Sequence, residues 1–241
     1  MELINDDCLN ALANIADKSV TLVIADLPYG QTQNVWDTKI DIAKLWQHLK
    51  RIGKPNCAYM FFTTTKFGFD LISSNKDWFR YEFVWDKLHT SGFLNSKKMP
   101  MRAHEMIYVF YNKLPTYNID ANHTKIPIGA NKKKQASCYG TVNPIVGTKY
   151  EPRLPTSVLH FDKKTNSEKR FHTTEKPVEL LEWLIKYYSN EGDTILDPTM
   201  GSGSTGVACK IRNRKFIGIE MDKTIFDIAV ARIVDDNVSA L

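Results

Sequence analysis

Short apolar runs alternate along this chain with stretches that place apolar residues at helical spacing. That alternation restricts the possible folds more than any other feature. The runs at 2–5, 20–25, 57–62, 81–85, 105–111, 194–196 and 215–219 are bounded by turn or polar residues and read as strands. Between 40 and 52, Ile42, Leu45, Trp46, Leu49 and Ile52 fall on one helical face. Pro177 stands at the start of a second such pattern, followed by Leu180, Leu181, Leu184 and Tyr188. Residues 204–211 and 224–234 read as two further helices. Strands alternating with helices predict an α/β fold with a mainly parallel sheet covered on both faces. Only a polar loop separates the runs at 81–85 and 105–111, which predicts an antiparallel pair at a sheet edge.

A chain of 241 residues suits one α/β domain carrying an insertion. The segment 113–170 has that character, with little periodicity and much Pro, Asn, Thr and Lys. It holds eleven Lys or Arg against Asp120, Glu151, Asp162 and Glu168, a net +7, whereas the whole chain is +5. The remainder is therefore slightly acidic, and the positive charge belongs to one module suited to a polyanion. A structureless loop of that length is rare in a compact domain unless it has a function. The longest apolar runs, such as Val20–Ala25, fall far short of the roughly 20 residues of a membrane span. Residues 1–7 lack the basic and apolar regions of a signal peptide, so a cytoplasmic location is expected. Cys8, Cys57, Cys138 and Cys209 are too far apart for a C-x-x-C metal pair and read as reduced, incidental thiols.

Two places carry chemistry. The run 194–197 ends in Asp197 and passes into Pro198-Thr-Met-Gly201-Ser-Gly203-Ser204-Thr205, a glycine-rich turn opening a helix. Gly201 and Gly203 permit tight backbone geometry and close ligand approach. The turn is not a full G-x-G-x-x-G and lacks the Lys of a phosphate loop, which argues against nucleotide hydrolysis. By itself it fits a plain tight βα turn equally well. Glu220, at the end of the following strand, is placed to accept hydrogen bonds from both ribose hydroxyls and tilts the reading toward an adenosine-containing ligand.

The second place is Val20-Thr-Leu-Val-Ile-Ala-Asp26-Leu27-Pro28-Tyr29. Ligands of open α/β sheets bind beyond the carboxyl ends of strands, so Asp26 and Tyr29 are site candidates. Pro28 biases Leu27 toward extended geometry and has no amide hydrogen, leaving backbone carbonyls to face a donor. An amine can then donate one hydrogen to Asp26 and another to a carbonyl, while Tyr29 offers a stacking surface. The plain alternative is a strand-ending Asp–Pro turn beside a packed Tyr.

Asp26-Leu-Pro-Tyr29 resembles the D-P-P-Y motif of amino-directed DNA methyltransferases, and Asp197-Pro-Thr-Met-Gly-Ser-Gly-Ser-Thr resembles their S-adenosylmethionine loop. His172-Thr-Thr-Glu175-Lys176-Pro177-Val-Glu-Leu-Leu is similar to the family's H-P-T-Q-K-P-x-x-L-L segment. Asn5-Asp6-Asp7-Cys8-Leu9 is similar to its G-D-C-L stretch. Phe83-Val-Trp-Asp-Lys87 and His104-Glu105-Met-Ile-Tyr-Val-Phe match two further segments, so the resemblance spans residues 2–235. A catalytic motif near the N-terminus and a cofactor loop near the C-terminus resemble the family's permuted β class.

The resemblance implies a Rossmann-like, seven-stranded class I methyltransferase fold. It divides the chain into a catalytic half at 1–112, a target-recognition insertion at 113–170 and a cofactor half at 171–241. It implies S-adenosylmethionine as cofactor and methyl transfer to N6 of a flipped adenine in double-stranded DNA. Adenine is preferred because adenine enzymes usually begin the motif with Asp and cytosine-N4 enzymes with Ser. The catalytic group is then Asp26, Leu27, Pro28 and Tyr29. The cofactor group is Asp7, Cys8, Asp26, Thr174, Lys176, Asp197, Pro198, Gly201, Gly203, Ser204, Thr205, Glu220 and Met221. Lys132, Lys133, Lys134 and Arg102 are the DNA-contacting candidates, no metal is expected, and a homodimer and a cognate restriction endonuclease are possible partners. Lys97 and Lys98 stand near Arg102 in the loop between the runs at 81–85 and 105–111. His104 and His172 are read as hydrogen-bonding rather than acid–base residues. Leu27 replaces the motif's first Pro but still offers a carbonyl. Met200 replaces an aromatic, which predicts weaker packing near the cofactor, and Glu175 puts a negative charge where the family has an amide, which bears on cofactor affinity. Cytosine-N4 transfer, an RNA or protein-amide methyltransferase of the same fold, and a catalytically idle DNA-binding protein are the alternatives. A nicotinamide oxidoreductase leaves Asp-Leu-Pro-Tyr unexplained.

Overall fold

The computed structural model describes residues 1–28, 40–128, 148–162 and 175–234, and the backbone of 136–137 and 140–141. The chain divides into two compact units, one of Met1–Thr116 with Ser157–Leu241 and one of Tyr117–Thr156. In chain order the first unit begins with β1 (Glu2–Ile4), α1 (Cys8–Asn14), β2 (Val20–Asp26), α2 (Ile42–Ile52), β3 (Gly53–Thr63), α3 (Thr65–Ser74), β4 (Phe79–Ser91) and β5 (Arg102–Phe110). The second unit holds β6 (Thr124–Pro127), β7 (Ala136–Ser137), β8 (Gly140–Thr141) and β9 (Thr148–Glu151). The first unit resumes with β10 (Val158–His160), α4 (Val178–Tyr188), β11 (Thr194–Asp197), α5 (Ser204–Ile211), β12 (Lys215–Ile219) and α6 (Lys223–Val234).

The large sheet has the order β1-β12-β11-β2-β3-β5-β4-β10. Only β5 runs antiparallel to its neighbours. The antiparallel β4–β5 pair agrees with the sequence pattern, but the sheet has eight strands rather than seven. The extra strand, β10, pairs parallel to β4 with Val158 opposite Val84, and it rather than β4 forms the edge. Only Leu159 of its three residues is buried, which is too short an alternation to stand out in the sequence.

Side-chain carboxylates cap the first two helices. The Asp7 carboxylate accepts the amides of Leu9 and Asn10 and so caps α1. Asp41 accepts the amide of Lys44 and caps α2, whose last turn carries Lys50 and Arg51 toward the negative end of the helix dipole. The face of α2 formed by Leu45, Trp46, Leu49 and Ile52 is buried against the sheet. There the Trp46 ring lies 5.7 Å from Tyr59, 5.4 Å from Phe61 and 5.2 Å from Phe110, and its indole N–H donates to Ser74 Oγ at 2.9 Å. Such aromatic pairs add about 0.5–1.5 kcal/mol each beyond their buried area. Helix α3 contains Gly68, where a Cβ would fall 2.1 Å from the Tyr108 ring, so the glycine makes room for β5 to pack beneath it. In the second unit β6 and β9 pair antiparallel, and buried His123 bonds through Nδ1 to the Pro152 carbonyl at 2.8 Å.

Candidate active site

β1, β12, β11, β2 and β3 are mutually parallel, so their carboxyl ends face the same side of the sheet. The chain leaves β11 toward β12 on one side and β2 toward β3 on the other. The β11–β2 boundary is therefore the topological switch point, where open α/β sheets bind ligands. A cleft of about 1130 Å³ opens there. It is lined by residues at or beyond the ends of β1 (Asp6, Asp7, Cys8), β2 (Asp26, Leu27, Pro28), β3 (Thr63–Lys66), β11 (Pro198, Thr199, Gly201) and β12 (Glu220, Met221). The β4–β5 hairpin adds Lys87, Ser91, Arg102, His104 and Glu105.

Asp26 is the last residue of β2. Lys176 reaches over from the segment before α4, and its Nζ donates to Asp26 Oδ2 at 2.5 Å. The same ammonium lies 3.4 Å from Glu105, which in turn lies 3.4 Å from Lys87 Nζ. Lys176 also sits 5.2 Å above the Phe62 ring. Its burial alone would push the ammonium pKa down, but the Asp26 and Glu105 carboxylates outweigh this and hold it above the ordinary lysine value. Leu27 is buried in the core, so position 27 presents backbone rather than side chain to the cleft. The Thr199 hydroxyl donates to the Asp26 carbonyl at 3.1 Å, tying the β2 loop to the β11 loop.

The glycine-rich turn folds by backbone bonds: the Met200 amide donates to the Ile219 carbonyl and the Gly203 amide to the Met200 carbonyl, both at 2.9 Å. Gly201 at φ +51° and Gly203 at φ +82° take the left-handed conformation that side chains resist. Asp197 is buried beneath the turn, with Thr205 Oγ1 donating to Oδ2 at 2.6 Å and the Thr199 amide to Oδ1 at 3.1 Å. Burial raises its carboxyl pKa to about 7 against the pull of those two donors. Glu220 Oε2 accepts the Gly201 amide at 3.1 Å and Oε1 the Asp222 amide at 2.9 Å. Both oxygens are thus oriented, and each keeps a lone-pair direction for a further donor.

A family model described as DNA methylase, covering N6 and N4 methyltransferases, matches residues 20–231. The chain belongs to the N6/N4 DNA methylase family. It is similar to the type II methyltransferase M1.MboII of Moraxella bovis, 27% identical over 238 residues that make up 90% of each chain. It is also similar to the DNA adenine methyltransferase YhdJ of Escherichia coli K12, 26% identical over 244 residues, 96% of this chain and 82% of that one. Among solved structures, the M1.HpyAVI–SAM complex superposes with a TM-score of 0.65 at 21% identity, covering 97% and 99% of the two chains. The PvuII cytosine-N4-specific DNA methyltransferase gives 0.70 at 15% identity, covering 98% and 86%. These two likenesses establish the class I methyltransferase fold.

The cofactor of this DNA methylase family is S-adenosylmethionine, and the cleft suits it chemically. The lining holds nine acids (Asp6, Asp7, Asp26, Asp41, Glu105, Glu175, Asp197, Glu220 and Asp222) against Lys66, Lys87, Arg102 and Lys176. That balance favours a ligand bearing a sulfonium and an ammonium over a pyrophosphate. Glu175 strengthens the point, since its carboxylate accepts the Ser204 hydroxyl at 3.3 Å at the start of α5, where a dinucleotide would need its phosphates. That Glu175 charge is paired with Arg232 of α6. Arg232 also donates to the Ser202 carbonyl at 3.2 Å and to Ser204 Oγ at 3.1 Å.

Most of the residues singled out in the sequence meet at this cleft: Asp7, Cys8, Asp26, Leu27, Pro28, Lys176, Asp197, Pro198, Gly201, Ser204, Thr205, Glu220, Met221 and Arg102. Gly203 lies behind the wall, where a Cβ would meet Ile233 Cδ1 at 2.9 Å. Cys8 is buried and its thiol pKa is pushed up to about 12 by desolvation, with Asp7 adding to it, so the site gives it no nucleophilic character. Met200 is buried as well. Tyr29, Lys132, Lys133, Lys134, Cys138, His172 and Thr174 lie outside the described residues. Sequence reasoning assigned no role to Lys87, Glu105 or Arg232, or to Thr63–Lys66. Lys87 and Glu105 stand in family-like segments, and Thr63–Lys66 follows a buried strand, so the rule that sites lie beyond strand ends points to them. Nothing in the sequence marks Arg232.

Proposed function

We propose that this chain transfers a methyl group from S-adenosylmethionine to N6 of an adenine flipped out of double-stranded DNA. The observation that carries the reading is the placement of Asp26 and the Gly201 turn on adjacent strands at the switch point, joined through Thr199. Family membership supplies the reaction class, and the relative YhdJ is named a DNA adenine methyltransferase.

When bound, S-adenosylmethionine supplies an electrophilic methyl group on sulfur. Asp7 near the adenine, Glu220 toward the ribose, and the Asp197–Gly201 turn are the holding residues in this reading. An exocyclic amine is a poor nucleophile because its lone pair is conjugated with the ring. Asp26 accepts one N–H of that amine and the Leu27 or Pro28 carbonyl accepts the other, drawing the nitrogen toward tetrahedral geometry. Lys176 fixes the Asp26 carboxylate in place. As the nitrogen gains the methyl group, the electron pair of the broken S–C bond stays on sulfur and the nitrogen releases one proton along its hydrogen bond to the Asp26 carboxylate, which passes it to solvent. The contribution is positioning and electrostatics. Flipping the base costs a few kcal/mol, of which stacking on Tyr29 returns about 1–3 kcal/mol. The 113–170 segment, with its net +7, serves target recognition, and Lys132–Lys134 meet phosphates. A homodimer, a cognate restriction endonuclease and a cytoplasmic location belong to the same reading. Among the described residues no helix is long and apolar enough to cross a membrane.

The test is transfer of labelled methyl from S-adenosylmethionine to unmethylated duplex DNA, RNA and protein, followed by nucleoside analysis. N6-methyladenine in duplex DNA is expected. N4-methylcytosine would move the chain to the specificity of the PvuII enzyme, and label only in RNA or protein would overturn the DNA reading.

A further inference from the structure

The tip of the β4–β5 hairpin exposes apolar side chains that the fold does not use. Phe93 is 78% and Leu94 96% exposed, with Met99 and Met101 exposed beside them. The tip is nevertheless built rather than slack. Gly92 at φ +92° starts a 3₁₀ turn over Phe93–Asn95. The amides of Asn95, Ser96 and Lys98 then donate to Gly92, Phe93 and Asn95 carbonyls at 3.0, 3.0 and 2.8 Å. From Leu88 to Ala103 the chain carries Lys97, Lys98 and Arg102 and no acid.

The stem of this hairpin enters the cleft. Ser91 and Arg102 are register partners and both line it. Further down the stem, Lys87 and Glu105 join the ion pairs that reach Asp26 through Lys176. The hairpin whose stem lines the cleft at Ser91 and Arg102 thus carries Phe93 and Leu94 at its tip. Cations around an exposed Phe–Leu pair match a duplex, whose phosphates take the charge and whose base faces take the apolar surface. Apolar side chains inserted at base steps are a general means of opening a stack.

We propose that the Phe93–Leu94 tip is the wedge that opens the duplex, filling the space the target base leaves while Lys97 and Lys98 hold flanking phosphates. The inference rests on the DNA-methyltransferase reading and adds the element that separates the base from its stack. Both side chains are exposed, so Phe93→Ala/Leu94→Ala is expected to fold and to bind S-adenosylmethionine as the parent does.

The experiment first locates the site that the parent chain methylates in DNA of a methylation-free host. Single-turnover rates are then measured on that duplex and on the same duplex with an abasic site opposite the target. The double variant is expected to be at least about tenfold slower on the intact duplex and within about threefold of the parent on the abasic one. With 2-aminopurine at the target position, the fluorescence rise on binding should be lost in the variant. Lys97→Gln/Lys98→Gln should lower the salt slope of DNA binding by about one unit per phosphate contact removed. Equal rates on both duplexes overturn the wedge while leaving the methyltransferase reading intact. An inactive parent chain overturns both. A parent dimer that the double variant dissolves without losing duplex activity makes the tip a contact between copies and also overturns it.

Discussion

Lys176 Nζ lies 2.5 Å from Asp26 Oδ2, bridging residues 150 positions apart in the chain. The ammonium comes from the segment that enters α4 and the carboxylate from the end of β2, so the pair joins two distant parts of the sequence at the cleft. Glu105, 3.4 Å away, makes Lys176 the cation between two acids. Its primary effect is therefore on the geometry of Asp26.

Lys176→Met leaves Asp26 and Glu105 without their shared cation. Misplacing a catalytic group by about 1 Å can cost about 100-fold in rate. We expect kcat to fall by about that factor with the Kd for S-adenosylmethionine changed less than fivefold. Stopped-flow turnover and calorimetric binding separate the two. Lost cofactor affinity with unchanged kcat would make Lys176 a cofactor ligand only.

Arg232 and Glu175 are nearly buried, with side-chain exposures of 8% and 17%. Removing one partner of a buried ion pair costs about 3–5 kcal/mol. Arg232→Met is expected to lower unfolding free energy by that order. Glu175→Gln, which keeps an acceptor for Ser204 and Arg232, should cost less. Urea denaturation of the two variants gives the comparison, and equal losses would contradict it.

Asp197 links stability to pH. Burial raises its folded pKa from 3.8 to about 7, so the folded state holds this proton more tightly than the unfolded chain does. Its stabilising contribution is complete below about pH 3.8, declines as pH rises, and is gone above about 7. Asp197→Asn cannot titrate. The stability difference, parent minus variant, should therefore fall from pH 5 to pH 7 and level off beyond it, read from urea midpoints. A difference that is flat over that interval would show that the buried carboxyl is ionised throughout.

Much of the site was legible because strand ends carry it. Asp26, Asp197 and Glu220 each close or follow an apolar run, and the switch point brings them together whatever the loops do. The helices α2, α4, α5 and α6 were visible through their apolar spacing. α3 was not, because Gly68 interrupts the pattern for the sake of the Tyr108 ring. α1 spans only Cys8–Asn14, and β10 only Val158–His160, too short for a periodic signal. Lys176 was legible as a motif residue but not as the partner of Asp26, since nothing in a sequence records a pairing across 150 positions. Arg232 looked like an ordinary last-turn cation of α6, and its pairing with Glu175 follows only from how α6 packs on α5.

On the proposed function, Asp26 positions the target amine while DNA binding does not depend on it. Single-turnover methylation by Asp26→Ala, measured with its DNA and S-adenosylmethionine affinities, tests this most directly. The account predicts undetectable methyl transfer with DNA binding retained. Near-normal turnover by Asp26→Ala would contradict it.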